Sequence, residues 1–242
     1  MTQHQRVVHI HMNHQVNKLS FDFTSALAHS LREADKKNDL SVILLSGNDR
    51  AFSVGAALDE LVSMGPDDVD HWLAPWEVVA SLQKPIIMAL HGYVLGGGLE
   101  IALMGDMLIA TPQTFFAQPE IKLSLLPGCG GTLRLLQAIG YHRAFDMISS
   151  GRTVKSDEAY HMGLLHDVIE KERLISYALE TALKMAEYSL ESLCAIKALM
   201  RKGFDHGSFF NTWLREEREA FKNLLLQKEA QEKMQAFLKK KI

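Results

Sequence analysis

Cysteine is scarce: Cys129 and Cys194 are the only two in 242 residues. They have neither the spacing of zinc ligands nor the density of a disulfide scaffold, so a reducing compartment is expected. Excess charge of one sign is also missing. With 26 Lys and Arg against 29 Asp and Glu, the net charge is −3, which argues against a basic nucleic-acid surface. Any anionic ligand must instead meet local positive groups. No apolar run approaches the ~18 residues of a membrane span, and Met1 to His11 lacks an apolar signal core, so the expectation is a cytoplasmic protein with no membrane partner. Neither G-x-G-x-x-G nor G-x-x-x-x-G-K-[ST] occurs, which removes the common nucleotide fingerprints. No H-E-x-x-H or Cys/His cluster occurs either, and no metal is expected. His4, His9, His11 and His14 crowd the N-terminus, where His9 and His11 share one strand face and read as surface residues. There is no low-complexity linker and no repeat of fixed period.

What is present suffices for one large core, since 47% of residues are hydrophobic and 23% charged. Alternating apolar residues predict a strand over Arg6 to Met12, a polar loop over Asn13 to Asn17, and an amphipathic helix over Phe21 to Lys37. Ser41 to Gly47 and Lys84 to Gly92 are continuous apolar runs, expected as strands buried on both faces. Between them, Ala51 to Ala57 reads as a loop of small residues and Val69 to Leu82 as a helix. A helix from Gly96 through Met104 and a strand over Met107 to Ala110 follow. Strands alternate with helices up to about Pro119. Beyond that, Thr132 to Ile139, Ala144 to Ser149, Ser156 to Met162, Lys171 to Tyr188, Leu190 to Lys202 and Phe209 to Leu238 all read as helices. The class is α/β with a helical C-terminal region beginning past Val168.

Two glycine-rich segments carry the chemistry. Gly92 to Asp106 contains Gly96, Gly97 and Gly98, which let main-chain amides approach a ligand where a helix N-terminus offers unpaired N–H groups. Such glycines serve equally well to pack a helix closely on a sheet. Glu100 follows, flanked by Leu99, Ile101, Ala102 and Leu103. It is either exposed on a helix whose apolar face lies elsewhere or buried, and burial would raise its pKa toward general acid/base work. Glu120 follows Pro119, before a second glycine-rich entry to a helix, Leu126 to Arg134. It reads either as a loop carboxylate capping a neighbour or as the partner of Glu100. Two such carboxylates with main-chain donors are the groups that addition or removal of water beside a carbonyl would use.

Gly92 to Asp106 resembles the crotonase signature G-x-x-x-G-G-G-x-E-x-x-x-x-x-D, and Phe116 to Arg134 resembles its continuation F-x-x-P-E-x-x-x-x-x-x-P-G-x-G-G-x-x-R. Ala51 to Leu58 resembles the family loop A-F-x-x-G-A-D-L. Glu100 and Glu120 stand 20 positions apart, as in the hydratases of the family. The resemblance covers about Val7 to Val168 and implies a ββα spiral core over residues 1–170. It also implies a helical region over 171–242 for oligomerisation and closure of the CoA site, in a homotrimer or hexamer. It further implies a 2-enoyl-CoA hydratase with no cofactor, the substrate being carried as a CoA thioester. Carried over, Val54 and Gly97 N–H are the oxyanion donors, Glu120 exchanges the α-carbon proton and Glu100 orients water. Ser53, Gly55, Ala56 and Ala57 line the CoA side, and Gly128 helps place water and carboxylates. Departures touch substrate detail and subunit completion of the CoA site: Ala57 replaces a frequent Asp, Val54 is bulky, the loop Asn13 to Asn17 is short, and Gln227 to Lys241 lacks an acidic-glycine step.

Other readings remain at this point. Isomerisation or dehydration of a branched or aromatic acyl-CoA is disfavoured by Glu100, because isomerases commonly keep only the second carboxylate. A non-catalytic CoA-binding subunit would use Trp213, Phe221, Leu224 and Leu225 as an interface, although such spacing more often marks core. A serine protease finds no Ser/His/Asp arrangement. Lys239, Lys240 and Lys241 read as a solvated tail before they read as CoA-phosphate ligands.

Overall fold

The protein is described from a computed structural model that covers residues 1–65, 68–205 and 209–240. Chain order runs β1 (Thr2–His4), β2 (Val7–His11), α1 (Phe21–Lys36), β3 (Val42–Ser46), β4 (Ala51–Ser53), α2 (Leu58–Ser63), α3 (Asp68–Ala80), β5 (Ile86–Leu90), β6 (Tyr93–Leu95) and α4 (Gly97–Ala102). It continues through β7 (Met107–Ala110), β8 (Phe115–Ala117), a 3-10 helix (Pro119–Leu123), α5 (Gly131–Ile139), α6 (Tyr141–Ser150), β9 (Val154–Lys155), α7 (Ser156–Met162) and β10 (Asp167–Val168). Four helices close the chain: α8 (Lys171–Ala186), α9 (Leu190–Asp205), α10 (Phe209–Leu225) and α11 (Lys228–Lys239).

The strands form two sheets, ordered β1-β2-β3-β5-β7-β10 and β4-β6-β8-β9. Each successive turn of chain gives one strand to the first sheet, the next to the second, and then helix: β3 and β4 with α2 and α3, β5 and β6 with α4, β7 and β8 with the 3-10 helix and α5. This is a ββα spiral, the α/β class expected. Its principal strands pair in parallel, with Ile43 opposite Ile86 and Ile87 opposite Met107 in one sheet, and Val94 opposite Phe116 in the other.

Alternation along β3 explains its unbroken hydrophobicity. Ile43 and Leu45 enter the main core, whereas Val42 and Leu44 face α8, whose Leu174, Ala178, Ala182 and Ala186 recur every fourth residue. Small residues on that stripe let helix and sheet approach closely. At the other end of the first crossover, Ser20 caps α1 by accepting the Phe23 N–H at 3.2 Å.

Two expectations are corrected. Ala51–Ser53 is strand β4 rather than loop, because its carbonyls and amides pair with β6 and with Asn17. The second sheet is built of three- and two-residue strands, too short to carry a period of their own. The long helix expected over Phe209 to Leu238 breaks into α10 and α11 at Leu226 and Gln227, so that α11 can turn back onto α2 and the 3-10 helix. Lys239 and Lys240 are exposed, and Lys241 lies outside the described residues. Among the described residues no helix is long and apolar enough to cross a membrane.

Candidate active site

The three successive glycines are each required by a different neighbour. Gly96 adopts φ +52°, and a Cβ there would lie 2.6 Å from Glu120 Oε1. A Cβ on Gly97 would meet the Trp76 ring at 2.8 Å, and one on Gly98 would meet Ser53 Cβ and its carbonyl at 2.7 Å. Close packing of α4 on β4 and close approach of a carboxylate are therefore both present. Since α4 begins at residue 97, the Gly97 N–H has no intrahelical acceptor.

Glu100, in the first turn of α4, is 3% exposed. Its Oε1 accepts the N–H of Cys129 at 2.7 Å and of Gly131 at 2.8 Å, at the entry to α5. Burial first, then the Glu217 and Glu120 carboxylates, push its pKa well above the usual carboxylate range against the pull of those two N–H groups. Glu120 sits half-buried on the 3-10 helix that Pro119 starts. With its amide nitrogen turned toward the acceptors, Gln118 donates to both Glu120 oxygens at 3.2 Å. Burial, with Glu217 adding to it, pushes Glu120 up to about 7. A Cβ on Gly131 would touch both the other end of the Gln118 amide, at 2.7 Å, and Glu100 Oε1, at 2.8 Å. Gln118 thus stands between the two glutamates, and the acid/base candidates share one locality beside the first N–H of α4.

Residues 51–53 are held by Asn17, which is fully buried. Its Nδ2 donates to the carbonyls of Met12, Ala51 and Phe52 at 3.2, 3.1 and 3.0 Å, and Ser53 Oγ donates to the Asn17 carbonyl at 2.7 Å. Val54 N–H donates to the Val16 carbonyl at 3.3 Å. The expectation that Val54 supplies an oxyanion donor is therefore corrected: its hydrogen is turned away and already used. Leu19 N–H donates to the Gly55 carbonyl, and Ala57 N–H to the Leu19 carbonyl, both at 2.9 Å. In that parallel bridge Ala56 is flanked by both bonds, so its own N–H points to the opposite side, away from Leu19. A Cβ on Gly55 would lie 3.5 Å from Gly97 N, which sets loop and helix start side by side. Ser53, Gly55 and Ala57 are buried and shape the loop, whereas Ala56 is half-buried.

Gly128 lies under α10, where a Cβ would meet the Phe221 ring at 2.9 Å. One turn back on that helix is Glu217, 5% exposed, which accepts from Gly130 N–H, from Thr132 N–H at 2.9 Å, and from the Thr132 hydroxyl. Sequence reasoning missed Glu217, Gln118, Asn17 and Trp76. For Glu217 a signal existed. It stands four residues before Phe221, on the same helical stripe as Leu224 and Leu225, although the charged run Arg215 to Glu219 disguises it as a solvated face.

Comparison with known proteins agrees with this geometry. The family described as Enoyl-CoA hydratase/isomerase matches residues 2–242. The chain is 36% identical over 230 residues to a Rhizobium meliloti protein named "Probable enoyl-CoA hydratase", covering 93% of this chain and 88% of that one. It is 32% identical over 245 residues to the 2,3-dehydroadipyl-CoA hydratase of Escherichia coli, covering 100% and 95%. A crystal structure of an enoyl-CoA hydratase/isomerase from Pseudoalteromonas atlantica superposes with a TM-score of 0.88 at 27% identity, covering 99% of this chain and 96% of the other.

Proposed function

The chain belongs to the enoyl-CoA hydratase/isomerase family, and from that premise we propose that it adds water across the double bond of a 2-enoyl-CoA thioester, with Glu100 and Glu120 as the acid/base pair. The observation that carries this reading is the convergence of two carboxyls, both raised by burial, beside the free first N–H of α4. Water bound by Glu100 loses a proton to that carboxylate as its oxygen bonds to the β-carbon. The π electrons move toward the thioester oxygen, which Gly97 N–H and Ala56 N–H grip as it becomes enolate-like. Glu120, which burial raises to about 7, delivers its proton to the α-carbon. The protons then redistribute between the carboxyls, and the 3-hydroxyacyl thioester departs.

Ala56 at the loop surface borders the CoA side, with Ser53, Gly55 and Ala57 shaping the loop beneath it and Gly128 opening the turn whose N–H groups hold the Glu100 carboxyl. The chemistry asks for no cofactor. Assembly as a homotrimer or hexamer is supported by exposed large apolar side chains, among them the stacked pair Tyr141 and Phe145 at 62% and 60% exposure. Two free cysteines, Cys129 and Cys194, suit a reducing, cytoplasmic setting. Residues 1–170 carry the site, and the helical region 171–242 closes it.

The test is loss of enoyl-thioester absorbance with crotonyl-CoA and longer enoyl-CoAs. The chain turns over at least one of them, and Glu120→Gln lowers kcat by about 10²–10⁴-fold. Absence of turnover at every chain length rejects the hydratase reading.

A further inference from the structure

Consecutive main-chain N–H groups at the entry to α5 are divided in alternation between two carboxylates that arrive from opposite directions. Glu100 of α4 takes those of Cys129 and Gly131. Glu217 of α10 takes those of Gly130 and Thr132, and the Thr132 hydroxyl as well, from a position 85 residues beyond Thr132. The N-cap of α5 is Gly130, at φ +95°, which has no side chain with which to cap its own helix. The orphan donors at this helix start therefore depend on carboxylates brought from elsewhere in the fold.

We propose that Glu217 is a positioning residue for the reaction: it anchors the Gly130–Thr132 stretch so that the Cys129 and Gly131 hydrogens stay aimed at the Glu100 carboxylate, and it sets a third carboxyl against the acid/base pair. The inference rests on the hydratase reading for its kinetic consequences. Several groups face Glu217. From α4 and the 3-10 helix come Glu100 and Glu120, whose protonated forms its charge favours. From α5 comes Arg134, which favours the Glu217 anion, and from the turn before it the buried Cys129 thiol, which burial and the Glu100 charge keep neutral. Beside it on α10, Arg218 pairs with Glu77 of α3 at 2.5 Å, and Lys222 pairs with Asp70 at 2.6 Å. These pairs tie α10 to α3, and of the helix's Glu216, Glu217 and Glu219 it is Glu217 that is buried against the turn.

Glu217→Gln removes the charge and puts an amide NH2 where an acceptor is needed. We expect kcat on crotonyl-CoA to fall by about 10²-fold, the scale of a misplaced catalytic group, with KM little changed. We also expect the bell of activity against pH to move to lower pH, because a like charge has gone. Carboxyl ¹³C NMR of the full chain reads the same displacement without turnover, as a lower titration point for Glu120 in the variant. Unchanged kcat with an unmoved bell overturns the proposal. So does a loss that is uniform at every pH with the titration of Glu120 in place, since that is packing alone.

Should Glu217→Gln lack a cooperative thermal transition, Thr132→Val takes over, removing one donor while keeping the charge. A severalfold lower kcat at unchanged KM then supports the role, and unchanged kcat overturns it. If the unmodified chain hydrates no enoyl-CoA, the hydratase reading falls and the NMR titration alone decides the role of Glu217.

Discussion

Val54 and Ala56 lie two positions apart and present their N–H groups to different partners, a distinction that side-chain identity does not encode. Val54 N–H is spent on the Val16 carbonyl at 3.3 Å, while the Leu19 bridge turns Ala56 N–H the other way. Replacing the residue 56 amide by an ester, with lactate in place of alanine, should therefore cost about 10²–10³-fold in kcat, as loss of one oxyanion donor does. The corresponding ester at residue 54 should leave kcat nearly unchanged, and equal losses at the two positions would contradict the assignment. A second prediction concerns the pair itself. Glu100 and Glu120 both stand above the ordinary carboxylate range, and in the proposed reaction they share one proton, so the titration would belong to the pair. kcat/KM should be bell-shaped with one limb near pH 7, where Glu120 titrates. Because the equilibrium constant for adding water does not depend on pH in this range, the same bell should appear for dehydration of the 3-hydroxyacyl thioester. Steady-state rates in both directions from pH 5 to 9 check this.

Elements differ in how plainly they announce themselves. β3 and β5 were legible because both of their faces are buried, which leaves an unbroken run of Val, Ile, Leu and Met. α1 was legible from Ser20 and the spacing of Leu27, Leu31 and Ala34. β6 and β8 were not, since three residues are too few for a period and their pairing is wholly tertiary. Nor did anything in Leu224 to Lys228 announce the break after α10, for it contains neither glycine nor proline. Glu100 and Glu120 could be singled out because glycines and a proline surround them, while Glu217 depends on how α10 docks. That docking makes its own prediction. Phe221 is 5% exposed and seated on Gly128, so Phe221→Ala should cost about 3–5 kcal/mol in urea unfolding. Lys222, one residue on, pairs with an Asp70 side chain that is 68% exposed. Lys222→Ala should cost less than about 1 kcal/mol, and comparable costs would mean that charge rather than packing seats the helix.

For the whole molecule, gathering Glu100, Glu120 and Glu217 in one buried locality is a standing cost to the fold, because burial raises all three above their ordinary range. The sign of the resulting pH dependence follows from Glu120. In the folded chain it keeps its proton up to about pH 7, whereas its unperturbed value is 4.5. Between those values the folded state binds more protons than the unfolded state, so stability falls as pH rises, and the loss is complete above about 7. Glu120→Gln cannot acquire that charge. Its melting temperature should match the parent near pH 4.5, exceed it increasingly up to about pH 7 and hold that margin to pH 8, by roughly 2–4 °C for each kcal/mol removed in a chain of this size. His9 acts in the opposite sense, since burial and His11 lower it to about 4 and the fold loses stability as pH drops below 6.5. Its imidazole is the same in both chains, so the difference between their melting curves isolates the carboxylate. A difference that stays constant from pH 4.5 to 8 would mean that Glu120 titrates normally, and with it would go the physical basis for assigning it the α-carbon proton.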